Sequence, residues 1–161
     1  MINENYNNLQ KLYIAYFGRP GDPSGINYWL SQSRNFFSLK DISKQLSIQD
    51  EYKKCFLEHK SFEQTINKLY FNLYGRKADF ESLNYWLDMV KKNDSQISDI
   101  VYSLIFDRYQ SKSIDLDQFD LDKQVLENKI FAAELFTKEI SKNITLINVY
   151  QPDSINPWIS G

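Results

Sequence analysis

The chain has 161 residues, of which 42% are hydrophobic and 16% aromatic, which is enough apolar material for a packed core. Its formal net charge is −2 and its 19 basic residues form no long run, which argues against nucleic acid as a partner. A single cysteine rules out a disulfide framework within the chain. The sequence contains no run of about 18 apolar residues, so no transmembrane helix is predicted.

The first segment of the chain lacks the positive n-region and the apolar h-region of a Sec signal peptide. It leads into a predicted amphipathic helix with one apolar stripe. The stripe consists of Leu9, Leu12, Tyr13, Tyr16 and Phe17. Gly18 stands where a left-handed residue commonly ends a helix. Asp22 stands where a side chain can cap the next helix, and Pro23 follows at its first position.

The second predicted helix carries Ile26, Trp29 and Leu30 at helical spacing, which places Trp29 on a buried stripe. Tyr28 lies about 100° away from that stripe and is predicted to be exposed. The two aromatic neighbours are therefore expected to face opposite ways, one toward the core and one toward solvent.

A third helix is predicted around residues 39–46, followed by a break and a short helix through Tyr52 to Leu57. Cys55 lies on this short helix, four residues before His59, the single histidine. A nucleophilic cysteine needs an oriented base, and no acid-oriented triad or oxyanion loop accompanies this pair. A small buried thiol is the favoured interpretation, and the protein is not expected to be an enzyme.

The same pattern occurs a second time, 57 residues further along the chain. Residues 11–19 align with residues 68–76, and residues 27–30 align with residues 84–87. A fixed period of this length indicates repeated helical units, each too small to bury its apolar face alone.

The predicted fold class is all-α, with two tandem helical repeats of about three to four helices each and a long C-terminal helix. The repeats are placed at residues 1–59 and 60–112, and an acidic connector with the C-terminal helix at residues 113–143. That helix is apolar on two faces over residues 121–140, which is typical of a helix packed between neighbours. Residues 144–161 are expected to form an extended tail that leads to a further domain.

The connector contains aspartates that resemble a calcium-binding loop, and the candidate ligands are Asp115, Asp117 and Asp120. The spacing departs from an EF-hand, because the sixth position from Asp115 is Asp120 rather than glycine and the twelfth is Leu126 rather than glutamate. The alternative to a calcium loop is a polar connector whose last aspartates favour the N-terminus of the next helix. No cofactor is predicted for this segment, and calcium is expected only in a longer protein.

A Gly-Arg-x-x-Asp element occurs in both copies, and two roles are open to its arginines. In the structural role, glycine and aspartate cap helices while the arginine bonds loop carbonyls or the aspartate. In the binding role, the arginines present forked donors to a sugar or phosphate. Exposed tyrosines beside asparagines also suit sugars, because aromatic faces pack on pyranose rings and amides bond hydroxyls. The candidate polysaccharide-binding residues are Arg19, Asn27, Tyr28, Arg76, Asn84 and Tyr85.

The duplicated pattern resembles a helical domain of unknown function that recurs in bacterial surface proteins, among them S-layer and RTX-type secreted proteins. The residues of the first copy that carry the resemblance are Leu12-Tyr13, Gly18-Arg19, Asp22-Pro23, Gly25 and Tyr28-Trp29. The second copy departs from the pattern, with Phe80 and Ser82 where proline and glycine are common. The resemblance covers roughly residues 8–112.

In S-layer proteins, domains that resemble this one hold the lattice to the outer membrane by binding lipopolysaccharide O-antigen. The resemblance implies a non-enzymatic anchor that binds lipopolysaccharide or another surface glycan and self-associates into a surface lattice. It also implies an extracellular location at the cell surface, reached by type I secretion without a cleaved N-terminal signal peptide, for an N-terminal piece of a longer protein. The alternative is a protein-interaction or self-assembly scaffold of a secreted or glycosyltransferase-associated protein.

Overall fold

The computed structural model describes residues 2–54, 61–93, 95–107 and 116–150, and every regular element in these ranges is a helix. In chain order the elements are α1 (Ile2–Phe17), α2 (Pro23–Asn35), α3 (Leu39–Ser47), α4 (Asp50–Tyr52), α5 (Phe62–Tyr74), α6 (Phe80–Asn93), α7 (Ile97–Tyr102), a π-helical turn (Ser103–Asp107) that continues α7, α8 (Leu116–Ser141) and α9 (Ile144–Val149). The predicted all-α class is therefore confirmed over the described residues. None of the helices in these ranges has the length and hydrophobicity needed to cross a bilayer.

Helix α1 forms the centre of the fold and packs against α2, α3, α5 and α8. Its second half, from Leu12 to Phe17, is an unbroken apolar and aromatic run, so this part of the helix has no charged face. A helix of this composition is stable in water only when other elements cover it on several sides. Every side chain of the run is accordingly buried, with at most 7% of its surface exposed.

Helices α3 and α7 pack against each other, and a chain of buried hydroxyls joins them to α1. Ser43 donates from Oγ to the carbonyl oxygen of Ser98 at 3.2 Å, and its Oγ lies 2.7 Å from the hydroxyl of Tyr16. Because the single Ser43 proton is used toward Ser98, the Tyr16 hydroxyl is the donor to Ser43. The three helices thereby satisfy their buried polar atoms among themselves.

Helix α8 is 26 residues long and packs against α1, α2, α5 and α9. Its buried residues recur every three or four positions, the spacing of one helix face. They are Ile130, Ala133, Thr137 and Ile140. The helix thus packs between neighbours, as its two apolar faces predict, although Leu121, Phe131 and Leu135 are 49–65% exposed.

Residues 144–149 form α9, whereas the sequence was expected to be extended there. The β-branched residues of this segment favour a strand, but a lone strand would leave its backbone groups unpaired. Asn143 instead begins a helix, since its side-chain oxygen accepts from the amides of Thr145 and Leu146. Residues 151–161 of the predicted tail lie outside the described residues.

Candidate functional site

The first Gly-Arg loop, residues 18–22, joins α1 to α2. Gly18 has a φ of 65°, the left-handed conformation expected of a residue that ends a helix. Asp22 begins α2, because its Oδ2 accepts from the amide of Gly25 at 2.8 Å, and Pro23 occupies the first turn. The capping roles predicted for these residues are therefore confirmed.

Arg19 lies inside the protein, with 3% of its surface exposed. Its Nε and Nη2 donate to the two carboxylate oxygens of Glu51 at 2.7 and 2.9 Å, and Nη1 donates to the carbonyl oxygen of Pro20 at 2.9 Å. Burial lowers the pKa of Arg19, but the hydrogen bonds and charge of Glu51 outweigh burial and hold this pKa above its ordinary value. This geometry fits the structural role predicted for Arg19, which bonds a loop carbonyl and lies 3.5 Å from Asp22, and it disfavours the ligand role because the guanidinium is enclosed and already paired.

Three aromatic rings surround the Arg19 guanidinium. Its central carbon lies 5.5 Å from the ring centre of Tyr13 and 5.4 Å from those of Phe17 and Tyr150. Tyr150 also donates from its hydroxyl to the carbonyl oxygen of Pro20 at 2.7 Å. The last described residue thus covers the first Gly-Arg loop.

The second Gly-Arg loop, residues 75–79, joins α5 to α6. Gly75 has a φ of 73°, again the conformation that ends a helix. Arg76 donates from Nε and Nη2 to the carboxylate oxygens of Asp122 at 2.8 and 2.6 Å, and it stacks 5.5 Å from the ring centre of Tyr70. The hydrogen bond with Asp122 raises the pKa of Arg76. Its side chain is 26% exposed, so Arg76 is a surface residue whose donors are largely engaged.

Each arginine makes the contacts predicted for its structural role, since Arg19 lies 3.5 Å from Asp22 and Arg76 lies 3.7 Å from Asp79. The closer acidic partners come from different parts of the chain, and sequence reasoning missed both. Glu51 belongs to α4, 32 positions after its arginine. The position 57 residues after Glu51 is Arg108, so the second copy has no carboxylate there. Asp122 on α8 takes its place, and the aspartate cluster was the one signal in the sequence that could have suggested it.

A buried polar triangle ties the first Gly-Arg loop to α8. Gln10 accepts through Oε1 from the amide of Gly21 at 2.9 Å and donates through Nε2 to the hydroxyl of Thr137 at 2.9 Å. Thr137 in turn donates to the carbonyl oxygen of Gly21 at 2.7 Å. At the matching place in the second loop, Asn67 accepts through Oδ1 from the amide of Ala78 at 3.1 Å. Both loops are therefore held by a side-chain amide from the preceding helix.

The tyrosine–tryptophan pairs divide between core and surface as the helical spacing predicts. Trp29 and Trp86 are 6% and 1% exposed, whereas Tyr28 and Tyr85 are 54% and 41% exposed. In each pair the ring centres are 4.9 Å apart and the rings meet edge to face, at 71° and 81°. Each exposed tyrosine ring therefore packs on its core-facing side against a buried tryptophan.

The exposed candidates form two surface patches on two different helices. The α2 patch comprises Ser24, Asn27, Tyr28, Ser31 and Asn35, and the α6 patch comprises Glu81, Asn84, Tyr85, Asp88 and Lys92, all of them exposed. Positions three, four and seven residues from each tyrosine lie on its side of the helix. Each patch thus combines a supported aromatic ring with amide, hydroxyl or charged neighbours. Arg19 and Arg76 belong to neither patch.

The calcium candidates do not form a cage in the described part of the chain. Asp117 and Asp120 are exposed residues at the start of α8, and Asp115 lies outside the described residues. Across residues 2–54, 61–93, 95–107 and 116–150, no three or more His, Cys, Asp and Glu side chains are grouped to hold a metal ion. Cys55 and His59 fall outside these ranges.

Comparisons with known protein families, with characterised proteins and with solved structures find no match to this chain. The likeness to helical domains of bacterial surface proteins therefore stays a prediction.

Proposed function

We propose that this chain is a non-enzymatic anchoring module that binds a surface polysaccharide through the α2 patch and the α6 patch. The observation that carries the proposal is the pair of exposed tyrosines, each set edge-on against a buried tryptophan. A ring held in this way loses little conformational entropy when a sugar packs on its face. The adjacent Asn27 and Asn84 offer both donors and acceptors to sugar hydroxyls.

The proposal includes a finer organisation of the fold, in which two copies of one helical unit pack face to face. Three observations support it: α1 packs against α5, α3 packs against α7, and the two helices of each pair stand at matching positions of the repeat. The loop that joins α1 to α2 and the loop that joins α5 to α6 also use the same kind of cap and the same kind of side-chain amide support. Such an arrangement sets two equivalent patches on one core, which gives a polymeric ligand two attachment points.

A repeating polymer suits two sites better than a small ligand does. When one patch is bound, the second meets neighbouring sugars of the same chain at high effective concentration, and the gain in avidity reaches about 10²-fold or more. In the surface-anchor setting that the sequence motif implies, the polymer is lipopolysaccharide O-antigen or another outer-membrane glycan. The module would then sit outside the cell and position further domains of a surface lattice.

The test is binding to immobilised, purified O-polysaccharide, measured by biolayer interferometry with and without calcium. Tyr28→Ala and Tyr85→Ala are each expected to weaken apparent affinity about 10-fold or more, and the double variant to abolish binding. Phe36→Ala is the matched control, because Phe36 is an aromatic residue with 83% of its surface exposed, just after α2 and outside the patch. Binding that survives the double substitution, or that is absent in both calcium conditions, would refute the proposal.

A second candidate is a protein-interaction or self-assembly scaffold, favoured by one observation on α8. Phe131 and Leu135 are 65% and 49% exposed and lie one turn apart on the same side of that helix. Exposed apolar residues at this spacing are typical of helix-mediated association. This candidate predicts concentration-dependent oligomers in light scattering that Leu135→Glu disperses. A monomer at all concentrations would eliminate it.

A further inference from the structure

We infer that the two patches differ in ligand preference and that together they select an uncharged polysaccharide over an acidic one. The inference rests on the proposed function, because it assigns a substrate class to the same two surfaces. It is drawn from the side chains around each exposed tyrosine, which differ in charge although the tyrosines themselves are alike.

The α2 patch contains no charged side chain. Ser24 and Ser31 flank Tyr28 at four residues before and three residues after it, and both are exposed. Ser31 donates from Oγ to the carbonyl oxygen of Tyr28 at 2.7 Å, and Asn35 donates to that of Ser31 at 3.4 Å. Arg34, the one charged residue of α2, lies about 120° around the helix from Tyr28. A neutral sugar on this ring meets hydroxyls and amides only.

The α6 patch contains two carboxylates at the equivalent positions. Glu81 and Asp88 stand four residues before and three residues after Tyr85, where the α2 patch has serines. Asp88 accepts from Nζ of Lys92 at 2.9 Å, so the lysine charge offsets that of Asp88. The patch as a whole carries one excess negative charge from Glu81, Asp88 and Lys92.

An anionic sugar on Tyr85 would therefore be brought within one helical turn of two carboxylates, whose combined charge exceeds that of Lys92 by one. At an exposed site this repulsion is modest, about two- to fivefold in affinity, and added salt screens it. An uncharged sugar is not repelled by the carboxylates and can bind to both patches. The module consequently gains its full two-site avidity only on a neutral polymer.

The experiment uses the full chain and one acidic polysaccharide in two forms, before and after chemical reduction of its carboxylates to alcohols. At low ionic strength the reduced form is expected to bind the unmodified protein at least about twofold more tightly than the acidic form. The difference is expected to vanish at about 0.5 M NaCl. Glu81→Ser with Asp88→Ser installs the residues of the α2 patch and is expected to remove the preference at low salt as well.

The matched control is Glu63→Ser with Glu127→Ser, which removes two exposed carboxylates outside the patches, one of them near a lysine as Asp88 is. The control is expected to keep the preference for the reduced form. Tighter binding of the acidic form to the unmodified protein, or equal effects of the two double variants, would overturn the inference. Binding of neither form would instead refute the proposed function, which is a separately recognisable result.

Discussion

The side-chain amide of Asn72 donates to the backbone carbonyl oxygen of Ala15 at 3.0 Å, and the two residues are 57 positions apart. This separation equals the offset at which the sequence repeats itself. Equivalent positions of α1 and α5 thus meet each other in the core. Because a shift of either helix along its axis would leave a buried amide unpaired, this hydrogen bond defines how the two helices are aligned.

Asn72→Ala is expected to lower the free energy of unfolding by about 1–3 kcal/mol, because it removes a buried hydrogen bond and leaves a small void. The measurement is urea unfolding followed by circular dichroism. Asn128→Ala, at an exposed position of α8, is the control and should change stability by less than about 0.5 kcal/mol. Equal effects of the two substitutions would contradict the importance of the Asn72 contact.

Glu51→Gln is expected to destabilise the protein more than Asp122→Asn. The Arg19 and Glu51 side chains are 4% and 11% exposed, so loss of the carboxylate leaves a buried guanidinium with only Asp22, 3.5 Å away, as counter-charge, at a cost of about 3 kcal/mol. The Arg76 side chain is 26% exposed and water can replace Asp122, so that cost should be about 1 kcal/mol. Chemical denaturation of both variants under identical conditions gives the comparison, and a larger loss for Asp122→Asn would show that the ranking by burial is wrong.

Stability is expected to fall as the pH rises above about 10. Burial raises the pKa values of Tyr13, Tyr16 and Tyr52 above the ordinary tyrosine value. The unfolded chain then loses its phenolic protons at lower pH than the folded chain, so deprotonation favours unfolding across this window. Thermal melts between about pH 8 and 11, with tyrosinate absorbance as a second signal, test the expectation.

Tyr16→Phe should reduce this alkaline loss, because the side chain can no longer ionise. At neutral pH the same substitution removes the hydrogen bond to Ser43 and should cost about 1 kcal/mol. The stability of the variant is therefore expected to be lower at neutral pH and to decline less steeply as the pH rises. A parallel decline in both proteins would exclude Tyr16 as a contributor.

Tyr28→Ala and Trp29→Ala are neighbouring substitutions with opposite expected consequences. Tyr28 is more than half exposed, so its removal should change the free energy of unfolding by less than about 0.5 kcal/mol. Trp29 is 6% exposed and its removal should cost about 3–5 kcal/mol. Thermal denaturation measures both, and a strongly destabilised Tyr28→Ala would mean that its ring serves the fold instead of a ligand.

The features that sequence reasoning predicted correctly are local ones. Gly18 and Asp22 act through the helix turns directly beside them, and the burial of Trp29 follows from its angle on one helix. Each depends on residues within about four positions, so the pattern alone contains the information.

The partners of the arginines could not be predicted in the same way, because they depend on tertiary packing. For Arg19 the sequence indicates a loop carbonyl or Asp22 as partner, or else a ligand, but it gives no sign of Glu51, which is 32 positions away. Asp122 follows the aspartates that resemble a calcium loop, and nothing local indicates that its carboxylate binds Arg76 from 46 positions away. The helix at residues 144–149 was missed for a related reason: strand propensity was counted, but the capping side chain of Asn143 was not.

The contact of Tyr150 with Pro20 also bears on how the chain folds during its synthesis. The two residues are 130 positions apart, so at a translation rate of about 5–20 residues per second the tyrosine follows roughly 6–26 seconds after the proline. For most of that interval Arg19 can pair with Glu51, which is only 32 positions behind it. The first loop therefore acquires its ionic partner early and its aromatic cover late, because Tyr150 can pack over the loop only after residue 150 has been synthesised.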